Sequence, residues 1–416
     1  MGDSSAQPDR RCAGNSGTLW SVFLFLLFTG PPKFRVRSPD AAAYGELDLA
    51  TVVQLIVWIA IGLFTFYQFI AKREQRNTTG LHWLASVVIG TMGISTITSL
   101  SPSLTAFKTI QVAIAFLFCR LFIQLFGVER FLHVIMWGCL FLCTAVVVLW
   151  FFDPDSVVLI ESTGEARLRG QAIYEVAHPA LFGLVLLLSG VHTLGKGLQW
   201  FAILLFGLAL LLSLDRGDWL AFAVTIALAA WLKPDISGRR WARILVWLSP
   251  VVALALLSFL FGRRDLDSMF ADSDRWGLWA FLVANTLATS PWIGTGFIAG
   301  SRLTGMEYTI PLPSGHSIFI DAFSGCGLLG LAALVVLVFG LLPKTMRLVS
   351  RSKNKVSFAV GGLVFCLLLL SLIGAEIEAT PFGVLFWGLV SAVAFCVDDK
   401  SPSASVNRMP LAGKPT

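Results

Sequence analysis

The chain has 416 residues, 56% hydrophobic and 13% charged, with a mean hydropathy of +0.78. Soluble domains carry about 25% charged residues, so the composition excludes a soluble enzyme and points to a polytopic, all-α membrane protein. The formal net charge of +6 then speaks to orientation across a bilayer, not to a nucleic-acid partner.

In chain order, a polar N-terminal tail, residues 1–17, carries Arg10 and Arg11. On the criterion of ~20 apolar residues per crossing, about twelve spans follow. They are expected near Thr18–Thr29, Leu49–Ile70, Leu81–Leu100, Leu104–Leu125, Phe131–Phe152, Tyr174–Leu194, Leu198–Leu214, Asp218–Leu232, Ala242–Phe261, Ser317–Leu342, Val356–Ala375 and Phe382–Val397. The first nine occupy residues 18–261 and the last three residues 316–397, with a C-terminal tail at 398–416. Residues 262–315 form one large loop. Ordinary connections are shorter than ~15 residues, and this loop contains an aromatic, amphipathic stretch from Trp276 to Val283 that suits a short interfacial helix. Cys119, Cys139, Cys143, Cys366 and Cys396 lie inside apolar runs, and their spacing has no metal or redox pattern. No internal repeat is visible.

Lys and Arg favour the cytoplasmic side. With the N-terminus inside, Lys72, Arg73, Arg76, Arg130, Lys196, Lys233, Arg239, Arg240, Arg243, Lys344, Arg347 and Arg351 fall inside, and both tails are cytoplasmic. Arg167, Arg169, Arg216, Arg263, Arg264, Arg275, Arg302 and His316 then share the outer face. They either pair with loop carboxylates such as Asp153, Glu161 and Asp265 as solvated charges, or they face an anion.

The sharpest local signal is Asp215-Arg216-Gly217-Asp218, a tight charged turn between two apolar runs. Asp215 suits the N-cap of the following helix, with Asp218 three residues on as in a capping box. Arg216 then lies in the first turn, where a cation opposes the helix dipole. Local stability does not explain it, whereas an anion such as phosphate does. His316 opens the tenth span after Pro311-Leu-Pro313-Ser314-Gly315. A His at a helix N-terminus is held neutral and can accept a proton, which suits a general base for a sugar hydroxyl; the alternative is an interfacial His bonded to its loop. Gly325, Gly327 and Gly330 on the same span suit close helix packing or a bend. Asp272 and Asp274 are the nearest approach to a metal-binding carboxylate pair, and no Walker-type loop is present, so neither a metal nor a nucleotide cofactor is expected.

Arg216-x-x-x-Leu220, and His316-Ser317 followed by Gly327 and Gly330, resemble the O-antigen ligase and polymerase superfamily. Arg275-Trp276-x-x-Trp279 before Ser290-Pro291-Trp292-Ile293-Gly294-Thr295-Gly296 is similar to that family's outer-loop pattern. Arg169-Gly170 with His178-Pro179 fits its span-opening segment. The resemblance covers about Arg169 to Phe339. It implies a GT-C-like helical fold in the bacterial inner membrane, with an active site facing the periplasm. The donor it implies is a glycan on undecaprenyl diphosphate, and the acceptor is lipid A–core for a ligase or a second lipid-linked repeat for a polymerase. Lipopolysaccharide or exopolysaccharide biosynthesis is the implied setting, with no metal and no cofactor. On that resemblance Arg216 and Arg275 hold the diphosphate, Arg169 is a third candidate, and His316 accepts the proton. Trp276 and Ser317 line the glycan site. Glu376 and Glu378 either orient His316 or an Arg, or mark the end of the eleventh span. A flippase for the same lipid is the reading from another class; it requires charge within the spans, where Arg120 is the clear instance.

Overall fold

The computed structural model describes residues 12–30, 49–71, 79–160, 166–168, 176–192, 194–213, 215–232, 275–308, 317–351, 354–373 and 381–398. These form the helices α1 (Cys12–Thr29), α2 (Leu49–Ala71), α3 (Gly80–Ile94), α4 (Pro102–Phe152), α5 (Ala177–Ser189), α6 (Lys196–Leu212), α7 (Arg216–Leu232), α8 (Arg275–Thr289), α9 (Ala299–Glu307), α10 (Ile318–Arg351), α11 (Lys355–Ile373) and α12 (Pro381–Asp398). A two-stranded antiparallel pair, Val158–Ile160 with Ala166–Leu168, is the other regular element among the described residues besides short 3₁₀ turns. The ninth expected span, Ala242–Phe261, lies outside the described residues.

Among the described residues, five helical segments are long and apolar enough to cross a membrane: Val52–Ala71, Gly80–Thr98, Pro102–Phe152, Ile318–Ser350 and Lys355–Leu372. Gly17–Thr29, Ala177–Ser189, Lys196–Leu212, Gly217–Leu228 and Phe382–Val397 are shorter apolar helices. The protein is therefore a helical membrane protein, and its surface agrees. On α2 the residues Val52, Ile56, Ile59, Leu63, Phe66 and Ile70 are exposed, while Trp58, Ile61 and Thr65 are buried. That spacing is one helical stripe turned outward, the reverse of a water-soluble helix. It suits a lipid-facing side.

α4 is not one rod. Gly127 has φ 83° and ψ 162°, outside the helical region. The rings of Phe122 and Phe131 are 6.4 Å apart, whereas nine residues of straight helix would separate them by about 13 Å. α1 confirms the fold-back. Its start lies at the corner, where the Arg130 guanidinium donates 2.9 Å to the Gly17 carbonyl. Further along α1, Trp20 packs on Phe118 of the first arm and Phe25 on Phe141 of the second. Both arms leave the corner in the same direction, so α4 is a hairpin of two helices. It matches the expected pair Leu104–Leu125 and Phe131–Phe152. α1 is integral to this core, with Trp20, Leu24 and Phe28 buried.

α10 also breaks, at Gly327 (φ 64°, ψ −163°). A Cβ placed on Gly330 would meet the Ala322 carbonyl at 3.2 Å, though eight residues of helix span about 12 Å. Ile318–Cys326 is thus a short arm folded against the long arm that follows. The expected tenth span, Ser317–Leu342, is two pieces.

Candidate functional site

The turn of α10 is filled by the segment Pro291–Ala299 of the large loop. The Leu328 amide donates to the Pro291 carbonyl at 2.8 Å and the Leu329 amide to Trp292 at 3.1 Å. In return the Thr295 amide donates to Ser324 and the Gly296 amide to Gly325, both at 2.9 Å. An unbroken helix would bond Leu328 to Ser324 and Leu329 to Gly325. The inserted segment replaces those bonds one for one, so the break leaves these four groups paired. On its other side the segment rests on the α3–α4 turn. Thr98 Oγ1 donates to the Gly294 carbonyl (2.7 Å), the Leu100 amide to Thr295 (3.0 Å), and the Phe297 amide to Ser95 Oγ (3.0 Å).

Glycine is required where these backbones touch. A Cβ on Gly327 would lie 2.3 Å from the Trp292 carbonyl carbon, and one on Gly294 would lie 2.4 Å from that of Gly325. Ile298, buried and β-branched, has φ 65° and sits at the centre of a three-residue turn closed by Ala299 N–H to Phe297 C=O (2.8 Å). This positive-φ γ-turn costs about 1–3 kcal/mol, and the surrounding packing holds it.

The fold-back carries Ser317, the residue after His316, to the last turns of α11. Ser317 is buried and its Oγ lies 3.5 Å from the Ser371 carbonyl. α7 reaches the same place from another direction. It runs antiparallel to α11: Val185 of α5 lies against Gly362 and Gly190, just past α5, against Lys355, while His178 at the start of α5 faces Asp218 of α7. Thr225 Oγ1 donates to Cys366 Sγ (3.3 Å), and Cys366 Sγ approaches the Ala221 carbonyl. One turn before Ala221 on α7 corresponds to one turn after Cys366 on α11. Asp218 and Ser317 therefore both lie toward the C-terminal end of α11, and α7 packs directly on α10.

The charged turn folds as its residues dictate. Asp215 Oδ1 accepts the amides of Gly217 (2.9 Å) and Asp218 (3.2 Å), which is N-capping of α7. Asp218 departs from the expected capping box. It is fully buried, and its carboxylate faces His178 Nε2 on α5 at 3.9 Å. The His178 ring, half-buried, lies edge-on to Phe382 of α12 at 5.7 Å. This His–Asp pair spans separate helices, and the local sequence around neither residue records it.

Of the expected site residues, Arg216 opens α7 and Arg275 opens α8, which packs on α10. Trp276 is 66% exposed, with its ring 5.0 Å from Trp279, and α8 realises the expected short helix in the large loop. α8 and α9 pair through Phe281–Tyr308 and Asn285–Thr304. His316, Arg169, Glu376 and Glu378 lie outside the described residues. The start of α7, which carries Arg216, and Ser317 both lie toward the C-terminal end of α11. No family model matches the chain, and no curated protein matches it.

Proposed function

We propose that the protein is a glycosyltransferase of the O-antigen ligase type, moving a glycan from undecaprenyl diphosphate to lipid A–core at the periplasmic face of a bacterial inner membrane. The observation that carries the reading is that α7's capped start, which bears Arg216, and Ser317, the neighbour of His316, lie at the same end of α11 inside an apolar bundle. Charge so placed is costly unless it meets a partner. A diphosphate on a lipid tail is an anion that arrives within the bilayer.

In the proposed reaction the acceptor hydroxyl attacks the anomeric carbon on the face opposite the diphosphate. The new C–O bond forms as the bond to phosphate breaks, inverting the centre. His316 takes the hydroxyl proton, and the guanidinium groups of Arg216 and Arg275 offset the charge that develops on the departing diphosphate. Twelve spans, with residues 262–315 outside, belong to the same proposal.

The test reconstitutes purified protein in lipid with an undecaprenyl-diphosphate-linked glycan and either lipid A–core or a second lipid-linked repeat. Transfer to lipid A–core is the expected product; extension of the second repeat instead identifies a polymerase. Arg216→Ala and His316→Ala are each expected to lower the rate about 100-fold or more, and Arg216→Lys to restore only part of it, because Lys keeps the charge without the fork. Chelator is expected to leave the rate unchanged. Full activity of either alanine variant refutes the mechanism.

A further inference from the structure

Residues 262–315 are expected outside the spans, yet α8 has no side suited to water. Leu278, Leu282 and Thr286, each one turn from the next, are buried. The opposite stripe, Trp276, Ala280, Ala284 and Leu287, is exposed and wholly apolar. The polar groups turn inward instead. Asn285 Nδ2 donates to Thr304 Oγ1 of α9 (3.3 Å), and Ser301 and Gly305 continue that buried face of α9. The exposed Thr289 gives its hydroxyl to the Asn285 carbonyl at 2.8 Å. A helix resting at the water boundary shows water a charged or polar face. Apolar residues outside, with small and hydroxyl-bearing ones between helices, is how helices pack in lipid.

The surroundings of α8 agree. No charged residue lies between Arg275 and Arg302, between His82 and Lys108, or between Asp321 and Lys344. These three stretches build the corner around Gly327. Its surface continues the sides of two membrane-crossing segments: Ile97 ends the first and Leu328 and Leu329 open the long arm of the second. Trp292, whose carbonyl accepts from the Leu329 amide, joins them, and all four side chains are exposed. Irregular backbone is tolerated at membrane depth only where protein covers it and its polar groups are paired. Residues 294–298 are buried, and every carbonyl from Gly294 to Ile298 accepts a hydrogen bond, as do those of Pro291 and Trp292. The other end of the α8–α9 pair differs. There Trp276 follows Arg275, and Tyr308, next to the exposed Glu307, packs on Gly277 and Phe281. Trp and Tyr beside charge mark a headgroup layer. Arg302 is half-buried on α9 and takes no part in the exposed stripe of α8.

We propose that α8 and Pro291–Ala299 are a re-entrant element whose partner is the bilayer itself. The α8–α9 pair enters the leaflet on the side of the α3–α4 turn, the stripe Trp276–Leu287 and the Trp292 ring face lipid acyl chains, and Trp276 and Tyr308 stand at headgroup level. Residues 262–315 remain outside the spans, with this part of them in lipid instead of water. The inference does not depend on the chemistry proposed above.

The test places the full-length protein in nanodiscs of phospholipid with brominated acyl chains, which quench nearby tryptophan, and compares quenching by iodide from the water. The emission that Trp292→Phe removes is expected to be lost to bromine and untouched by iodide. The share removed by Trp276→Phe is expected to be quenched more by bromines near the headgroup than by bromines deep in the chain. Iodide quenching of the Trp292 share without bromine quenching overturns the inference, and so does protection from both, the mark of a protein partner. A second readout is the melting temperature in nanodiscs. A surface position in water takes Leu287→Asp with no change, whereas a lipid-facing one is expected to lose at least about 3 °C; an unchanged value overturns the inference. Should Leu287→Asp not fold, the quenching decides alone.

Discussion

Gly127 breaks α4 and Gly327 breaks α10, and both adopt backbone angles that glycine alone tolerates. Their surroundings are opposite. A Cβ on Gly127 would meet nothing within 4 Å, whereas one on Gly327 would strike the backbone of Trp292. The first is an open corner joining two long arms, braced by Arg130 at its side. The second is a closed corner, and another part of the chain runs through it. The same backbone conformation thus serves topology in one place and assembly of a site in the other. The difference lies in what occupies the corner, not in the glycine.

The comparison breaks most sharply at Gly327. Gly327→Ala adds the conformational cost of about 1–3 kcal/mol to an overpacking cost of about 1–3 kcal/mol. The expected outcome is a fall in melting temperature in detergent together with loss of transfer, because Pro291–Gly296 is displaced from the turn. Gly127→Ala carries the conformational cost alone, about 1–3 kcal/mol, and is expected to lower the melting temperature while transfer persists. Equal losses of transfer in the two variants would erase the distinction between the corners. The smallest change expected is Thr98→Val, which removes the hydroxyl strut to the Gly294 carbonyl. It costs about 1 kcal/mol, read as faster amide hydrogen exchange in Pro291–Gly296 with the rest of the fold unchanged.

These differences also set what could be read from the chain. The α4 hairpin was legible because each arm is long enough to span lipid and a gap of lower hydropathy separates Leu125 from Phe131. The cap at Asp215 was legible because it depends on neighbours in sequence, and the helix at Arg275–Thr289 followed from its aromatic periodicity. The short arm Ile318–Cys326 was not. Its residues are as apolar whether the helix continues through Gly327 or folds back, so Gly325, Gly327 and Gly330 read as a packing stripe. What reverses the chain there is a segment of a different loop, and no local pattern records that. The Asp218–His178 pair was hidden for the same reason: a capping box is the local explanation of Asp218, and tertiary packing overrides it.

The filled corner has a consequence for the order in which the protein comes together. Thr98 and its partner Gly294 are 196 residues apart, so the α3–α4 turn is synthesised long before the segment that rests on it. That segment is in turn complete before the two arms of α10 that clasp it. In lipid, polar backbone left unpaired costs several kcal/mol per group. Insertion cannot therefore finish helix by helix as the chain emerges. The early half must wait with an unfilled seat, and it is the late-made α10, closing over the loop, that locks the two halves into one molecule.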